Sequence, residues 1–135
     1  MSNINWKLIF SLSIFGLAMA FATISIIPEK IEPVCWLIIF AICAYIVAKN
    51  VQGKYFFHGF LISIVNSVWI TAAHVLSSAT YIANHSNAAK MNASMPAMMQ
   101  QHPRMAMLVM GLPFGIIFGL VLGLFCFIAS KIVKK

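Results

Sequence analysis

An all-α, four-transmembrane-helix bundle, N-in/C-in and without a soluble domain, is the fold class this sequence predicts. Three observations predict it: a composition too apolar for water, four apolar runs of membrane-spanning length, and basic residues gathered at the ends of those runs. The 135 residues are 62% hydrophobic and 8% charged. Soluble domains carry about 25% charged residues and about 45–50% apolar ones. A fold in water would lack polar groups to cover its surface. The bilayer is therefore the expected solvent, and residues 1–135 are expected to form a single integral membrane domain.

The first run, Leu8–Ile27, is entered through Trp6 and Lys7 and predicts a helix over 6–27. Twenty nearly uninterrupted apolar residues cross a hydrocarbon core of about 30 Å. Ala18-Met19-Ala20 has the pattern of a leader cleavage site. The run is long for a leader, however, and the segment before it holds one Lys, so an uncleaved helix is expected. Pro28-Glu29-Lys30-Ile31-Glu32-Pro33 reads as a tight turn, because proline ends one helix and starts the next. The second run, Val34–Ala48, predicts a helix over 33–49, with Trp36 and Tyr45 placed as interfacial aromatics. Lys49–Lys54 is a polar turn containing Gly53. The third run predicts a helix over 55–83, residues 84–104 form the one extended polar stretch, and Met105–Ser130 predicts a helix over 105–131.

Orientation follows from the lysines and arginine. Lys7, Lys49, Lys54, Lys131, Lys134 and Lys135 fall on one side, against Lys30, Lys90 and Arg104 on the other. Six against three places both termini in the cytoplasm and the 84–104 loop outside, with a bacterial cytoplasmic membrane as the expected location. The net charge of +7 does not imply nucleic acid, since the basic residues sit at run ends and form no patch with interleaved aromatics. Cys35 and Cys43 are eight residues apart, about 12 Å along a helix, too far for a disulfide within it. With Cys126 they read as small core residues.

Two patterns within the runs point to helix packing. Gly111, Gly115, Gly119 and Gly123 recur every fourth residue, the spacing of a glycine zipper. Such a groove lets a neighbouring backbone approach, and close packing is what drives helix association in lipid. It serves either docking within the chain or a homo-oligomer seam, and Gly115 and Gly119 are the expected points of closest approach. Pro113 interrupts the same run. In the third run Ser63, Asn66, Ser67, Thr71, His74, Ser77, Ser78 and Tyr81 fall within about 140° at roughly 100° per residue. Leu61, Val65, Val68, Trp69, Ala72 and Leu76 lie opposite. A polar stripe must face helices or water rather than lipid. It reads as an interhelical hydrogen-bond network or as a polar pathway, in which His74 is the ionisable candidate. No buried carboxylate is expected beside His74, and His58, near the cytoplasmic end, is given no special role.

Seven of the nine methionines lie between Met91 and Met110. Thioethers suit Cu(I), and His85 and His102 bracket Met91, Met95, Met98 and Met99, whose spacing fits one helical face. The same methionines suit interfacial docking. Glu29 and Glu32 are the sole acids, and no nucleophile context or phosphate-binding glycine loop is present, so no enzyme activity is expected. The expected role is a helix-packing membrane subunit in contact with lipid and with a second copy or a membrane protein partner. Copper binding by the Met/His loop, and a small polar pore or carrier unit, are the alternatives. No other cofactor is expected.

Overall fold

A computed structural model describes residues 3–133 and is helical throughout, with no strand among the described residues. In chain order the helices are α1 (Trp6–Ser25), α2 (Glu32–Asn50), α3 (Tyr55–Leu76), α4 (Ser78–Asn84), α5 (Ser86–Ser94), α6 (Ala97–Gln101) and α7 (Pro103–Ile132). Of these, α1, α2, α3 and α7 are long and apolar enough to cross a membrane. Lys134 and Lys135, two of the basic residues on which the expected orientation rests, lie outside the described residues.

The helix ends have local causes. Asn5 caps α1 by accepting the Leu8 N–H through its side chain at 3.0 Å. Pro28 disfavours helical geometry at the residue before it, so α1 stops at Ser25, short of the expected 27. Pro33 occupies the first turn of α2, where a missing N–H costs nothing. The turn into α3 places Gly53 at φ 122° and Lys54 at φ 50°, and only glycine takes the first readily.

Three boundaries depart from the sequence reading. The third helix does not continue to 83: it breaks at Ser77, which leaves helical geometry (φ −114°, ψ 30°), and α4 departs from there. Paired serines are poor helix formers because their hydroxyls compete for the backbone. The 84–104 segment is not an open loop but contains α5 and α6. The fourth long helix begins at Pro103, two residues early, and stays helical across Pro113.

α3 is the central element, packed most extensively against α7 and next against α1, while α2 lies mainly on α7. Ile9, Leu12, Phe40, Cys43, Val47, Ile62, Leu122 and Cys126 form the main core. Phe40 of α2 sets its ring edge-on to Phe118 and Phe125 of α7, with centroids 6.3 and 6.1 Å away. Cys43 and Cys126 are buried in that core and all three cysteines are free thiols.

The α3–α7 contact uses the regular glycines, but its tightest point is not where the spacing alone places it. A Cβ on Gly59 of α3 would stand 2.6 Å from the Leu122 carbonyl oxygen and 2.9 Å from the Gly123 Cα. One on Gly123 would stand 2.9 Å from the Phe56 carbonyl oxygen. At Gly119 the neighbours are the Phe60 ring at 2.9 Å and its carbonyl oxygen at 3.3 Å. At Gly115 and Gly111 they are the side chains of Ser67 and Thr71. The backbones are thus closest at Gly59–Gly123, where both residues lack a side chain. Gly59→Ala and Gly123→Ala should each lower the thermal midpoint in detergent, by an overpacking cost of about 1–3 kcal/mol. Gly111→Ala should cost less, because Thr71 can turn aside. Leu120→Ala, at a position 52% exposed, should cost least. A flat series across these four variants would remove the close contact as a source of stability.

Candidate functional site

The polar stripe of α3 is divided between two neighbours. Toward α7, the Ser63 hydroxyl donates to the Gly115 carbonyl at 3.3 Å, and Ser67 and Thr71 fill the space left by Gly115 and Gly111. Toward α1, Asn66 packs directly onto Gly16, so closely that any Cβ there would overlap its amide. The Asn66 Oδ1 is buried without a hydrogen-bond partner. Further along, His74 Nε2 lies 3.5 Å from the Thr23 hydroxyl, at the outer limit of a hydrogen bond. From Ser63 to His74 the stripe is therefore met by small residues, with glycine on α1 as well as on α7.

On the opposite side Trp69 is exposed, as its period places it, and its indole N–H donates to the Ser13 hydroxyl of α1 at 3.3 Å. Leu61 and Val65 pack against the core, whereas Val68, Ala72 and Leu76 are exposed. An indole needs a partner for its one polar atom, and Ser13 supplies it.

Beyond the break at Ser77, titratable groups collect at one end of the molecule. The Tyr81 ring lies between two imidazoles, with centroids 3.9 Å from His74 and 4.1 Å from His85, each tilted by 23°. His85 is 2% exposed. Its Nδ1 contacts the Tyr81 carbonyl oxygen at 3.0 Å, and its Nε2 lies 3.4 Å from Glu32 Oε2. The other Glu32 oxygen accepts the Trp36 indole N–H at 3.3 Å. Glu29 accepts the Ser86 hydroxyl and the Asn87 backbone N–H, both at 3.0 Å. Asn84 donates to the Ile24 carbonyl at 2.8 Å, closing the end of α1. The start of α5 is thus tied to the α1–α2 turn through both acids.

Local desolvation raises the Glu29 carboxyl, but the Asn87 N–H, the Ser86 hydroxyl and the charge of His85 outweigh it, and the net position is below the ordinary carboxylate value. Burial pushes the Tyr81 phenol up to about 12, with Glu32 and Glu29 adding to the effect, so the ring stays neutral. A column of stacked rings leads from His74 through Tyr81 to His85, which lies against Glu32, a link that the spacing along the third run does not show.

The methionines do not share one helical face. α5 ends at Ser94, and Met95 is extended (φ −76°, ψ 162°) because it precedes Pro96. Met91 lies on α5 while Met98 and Met99 lie on α6. His85, read as bracketing the cluster, is instead buried against Tyr81 and Glu32. His102 is exposed at the start of α7. Ser78, Gln101, His102, Pro103, Arg104 and Met105 line a recess of about 350 Å³. Among the described residues, no group of three His, Cys, Asp or Glu side chains is placed to hold a metal ion.

His58, for which the sequence implies no special role, links two helices. It is fully buried, its Nδ1 meets the Lys54 carbonyl at 2.8 Å, and its Nε2 accepts the Asn5 backbone N–H at 3.0 Å. It therefore ties the N-terminal cap of α1 to the first turn of α3. Its i+4 spacing from Lys54 was a weak signal, since nothing in sequence links it to Asn5. No protein-family model, curated protein or solved structure matches this chain.

Cysteine labelling tests the direction of the stripe. With Cys35, Cys43 and Cys126 replaced by alanine, a single cysteine at Asn66 should resist a lipid-soluble thiol probe. Single cysteines at Val68 and Ala72 should react. Faster labelling at 66 than at 72 would turn α3 the other way round.

Proposed function

We propose that this chain is a small helix-packing subunit of a cell membrane. Its four long helices form one bundle with both termini in the cytoplasm, and residues 84–102 form an external cap that is its working surface. The observation that supports this reading is the distribution of small and polar residues. Gly16, Gly59, Gly111, Gly115, Gly119 and Gly123 all meet side chains or backbone of the same chain. The glycine zipper therefore serves docking within the chain rather than a homo-oligomer seam. The polar stripe is filled by packing, which speaks against a pore along it. What is left outward along the long helices is apolar, while the titratable groups gather at the cap. A bacterial cytoplasmic membrane fits the charge asymmetry. The chemistry of the cap is non-enzymatic in this reading, because its acids are engaged in holding α5.

Topology is testable directly. A reporter fused after Lys135 should be active only in its cytoplasmic form, and one inserted between Met95 and Pro96 only in its external form. An external readout at the C-terminus would reverse the assignment.

A second reading, soft-metal capture at the cap, is favoured by the exposure of Met91 (40%) and Met98 (66%). Thioether ligands facing water can be recruited by Cu(I). The ligand set is then Met91, Met95, Met98, Met99 and His102, without His85. Titration of the purified protein with Cu(I) against a competing chelator should show binding that His85→Gln preserves. Replacing the four methionines by leucine should abolish it, and unchanged affinity in that variant ends the copper reading.

A further inference from the structure

We propose that His85 and Glu32 form a proton-binding site that holds the α5–α6 segment onto the α1–α2 turn. Two buried histidines of this chain make the argument by contrast. At His58 both ring nitrogens are satisfied in the neutral state: a carbonyl takes the Nδ1 proton and Asn5 supplies a donor to Nε2. At His85 the Nδ1 proton is likewise committed to a carbonyl, that of Tyr81. Its Nε2 meets no donor. It is buried, has no aligned hydrogen-bond partner, and faces a carboxylate oxygen at 3.4 Å.

A lone pair directed at an ionised carboxylate is repulsive, and the pair becomes attractive when one proton is added between them. The imidazolium then donates from both nitrogens. The Tyr81 ring, stacked on His85, offers its face to that cation. Of the titratable groups facing His85, Glu32 from α2 and Glu29 from the turn attract the cation and Tyr81 from α4 stacks on it, while His74, beyond the Tyr81 ring, is compatible with it as a neutral ring. Among the described residues no Lys or Arg side chain lies within 4.0 Å of either acid, so none replaces the proton.

The site has a consequence for the cap. Loss of the proton leaves Nε2 and Glu32 repelling and loosens the tie at the root of α5. The Glu29 contacts with Ser86 and Asn87 have the opposite requirement. They need the ionised carboxylate, whose position is below the ordinary carboxylate value. They persist at neutral pH and are lost as the pH falls through that lowered position. The cap is thus held by two ties that fail in opposite directions, and it is tightest between them.

The proposal depends on the membrane reading only for the side from which the proton arrives. Its test reads the clasp itself, so it and the topology can fail separately. Nitrogen-15 spectra of the histidine rings in detergent micelles, assigned with His85→Gln, should show His85 protonated on both nitrogens on the acid side of a pH step and on Nδ1 alone beyond it. As the pH rises through that step, backbone hydrogen exchange across 86–101, corrected for its intrinsic pH dependence, should rise about two- to fivefold. Glu32→Gln should move the step to lower pH, and His85→Gln should remove it. Glu29→Gln should raise exchange and keep the step. A His85 ring that stays a neutral Nδ1–H tautomer throughout, or a step that persists in His85→Gln, would overturn the proposal. So would an unmoved step in Glu32→Gln.

Discussion

The approach of α3 to α7 at Gly59 and Gly123 is the contact on which the rest of the arrangement depends. In lipid, helices gain little from leaving an equally apolar surround, so dispersion at short range has to hold them. Two glycines facing each other let the backbones meet, and the approach is maintained toward Gly111 by side chains sized to the gaps. The Ser63 hydroxyl reaches the Gly115 carbonyl because the helices run this close. With α3 fixed against α7, α1 finds its place through Asn66 on Gly16 and through Trp69 on Ser13. α2 then closes the other side through Phe40.

Histidine shows how position decides chemistry within one small chain. His58 is completed by an amide donor and behaves as a structural cross-link between α1 and α3. His74 rests on Tyr81 and reaches only the hydroxyl of Thr23. His85 is completed by nothing except a proton. Three rings of the same type thus take three roles, and the difference lies in whether the second nitrogen meets a donor, a hydroxyl or a carboxylate.

The long helices were legible because length and hydropathy are local properties, and the turns at Pro28–Pro33 and Gly53 carry their own markers. The glycine repeat was legible because it is periodic. Gly59 and Gly16 were not, since a lone glycine acquires meaning only from the residue opposite. Trp69 is exposed where its period places it, and the indole bond to Ser13 is a pairing that no period shows. The break at Ser77 was within reach of the sequence, given two adjacent serines, but an apolar run continuing to Ala83 masked it. The spacing of Met91–Met99 suggests one face, but Pro96 holds Met95 extended and divides the cluster between two helices. The His85–Glu32 pairing joins positions more than fifty residues apart, and no spacing rule reaches that far in a single sequence.

α7 has thirty residues, about 45 Å of helix at 1.5 Å each, whereas α2 has nineteen, about 28 Å. Hydrophobic mismatch between two neighbours of such different length cannot be relieved by thickening the bilayer for one without stranding the other. At a usual tilt of about 20°, some 21 residues of α7 suffice to cross about 30 Å of hydrocarbon, leaving roughly two turns beyond it. With Lys131 anchoring the far end, those turns are the ones beginning at Pro103. In the proposed membrane arrangement Arg104 and the recess beside it would then stand clear of the acyl chains, at headgroup level. In that arrangement the length of a single helix would set the height of the cap above the membrane, and a thinner or thicker bilayer would raise or lower it.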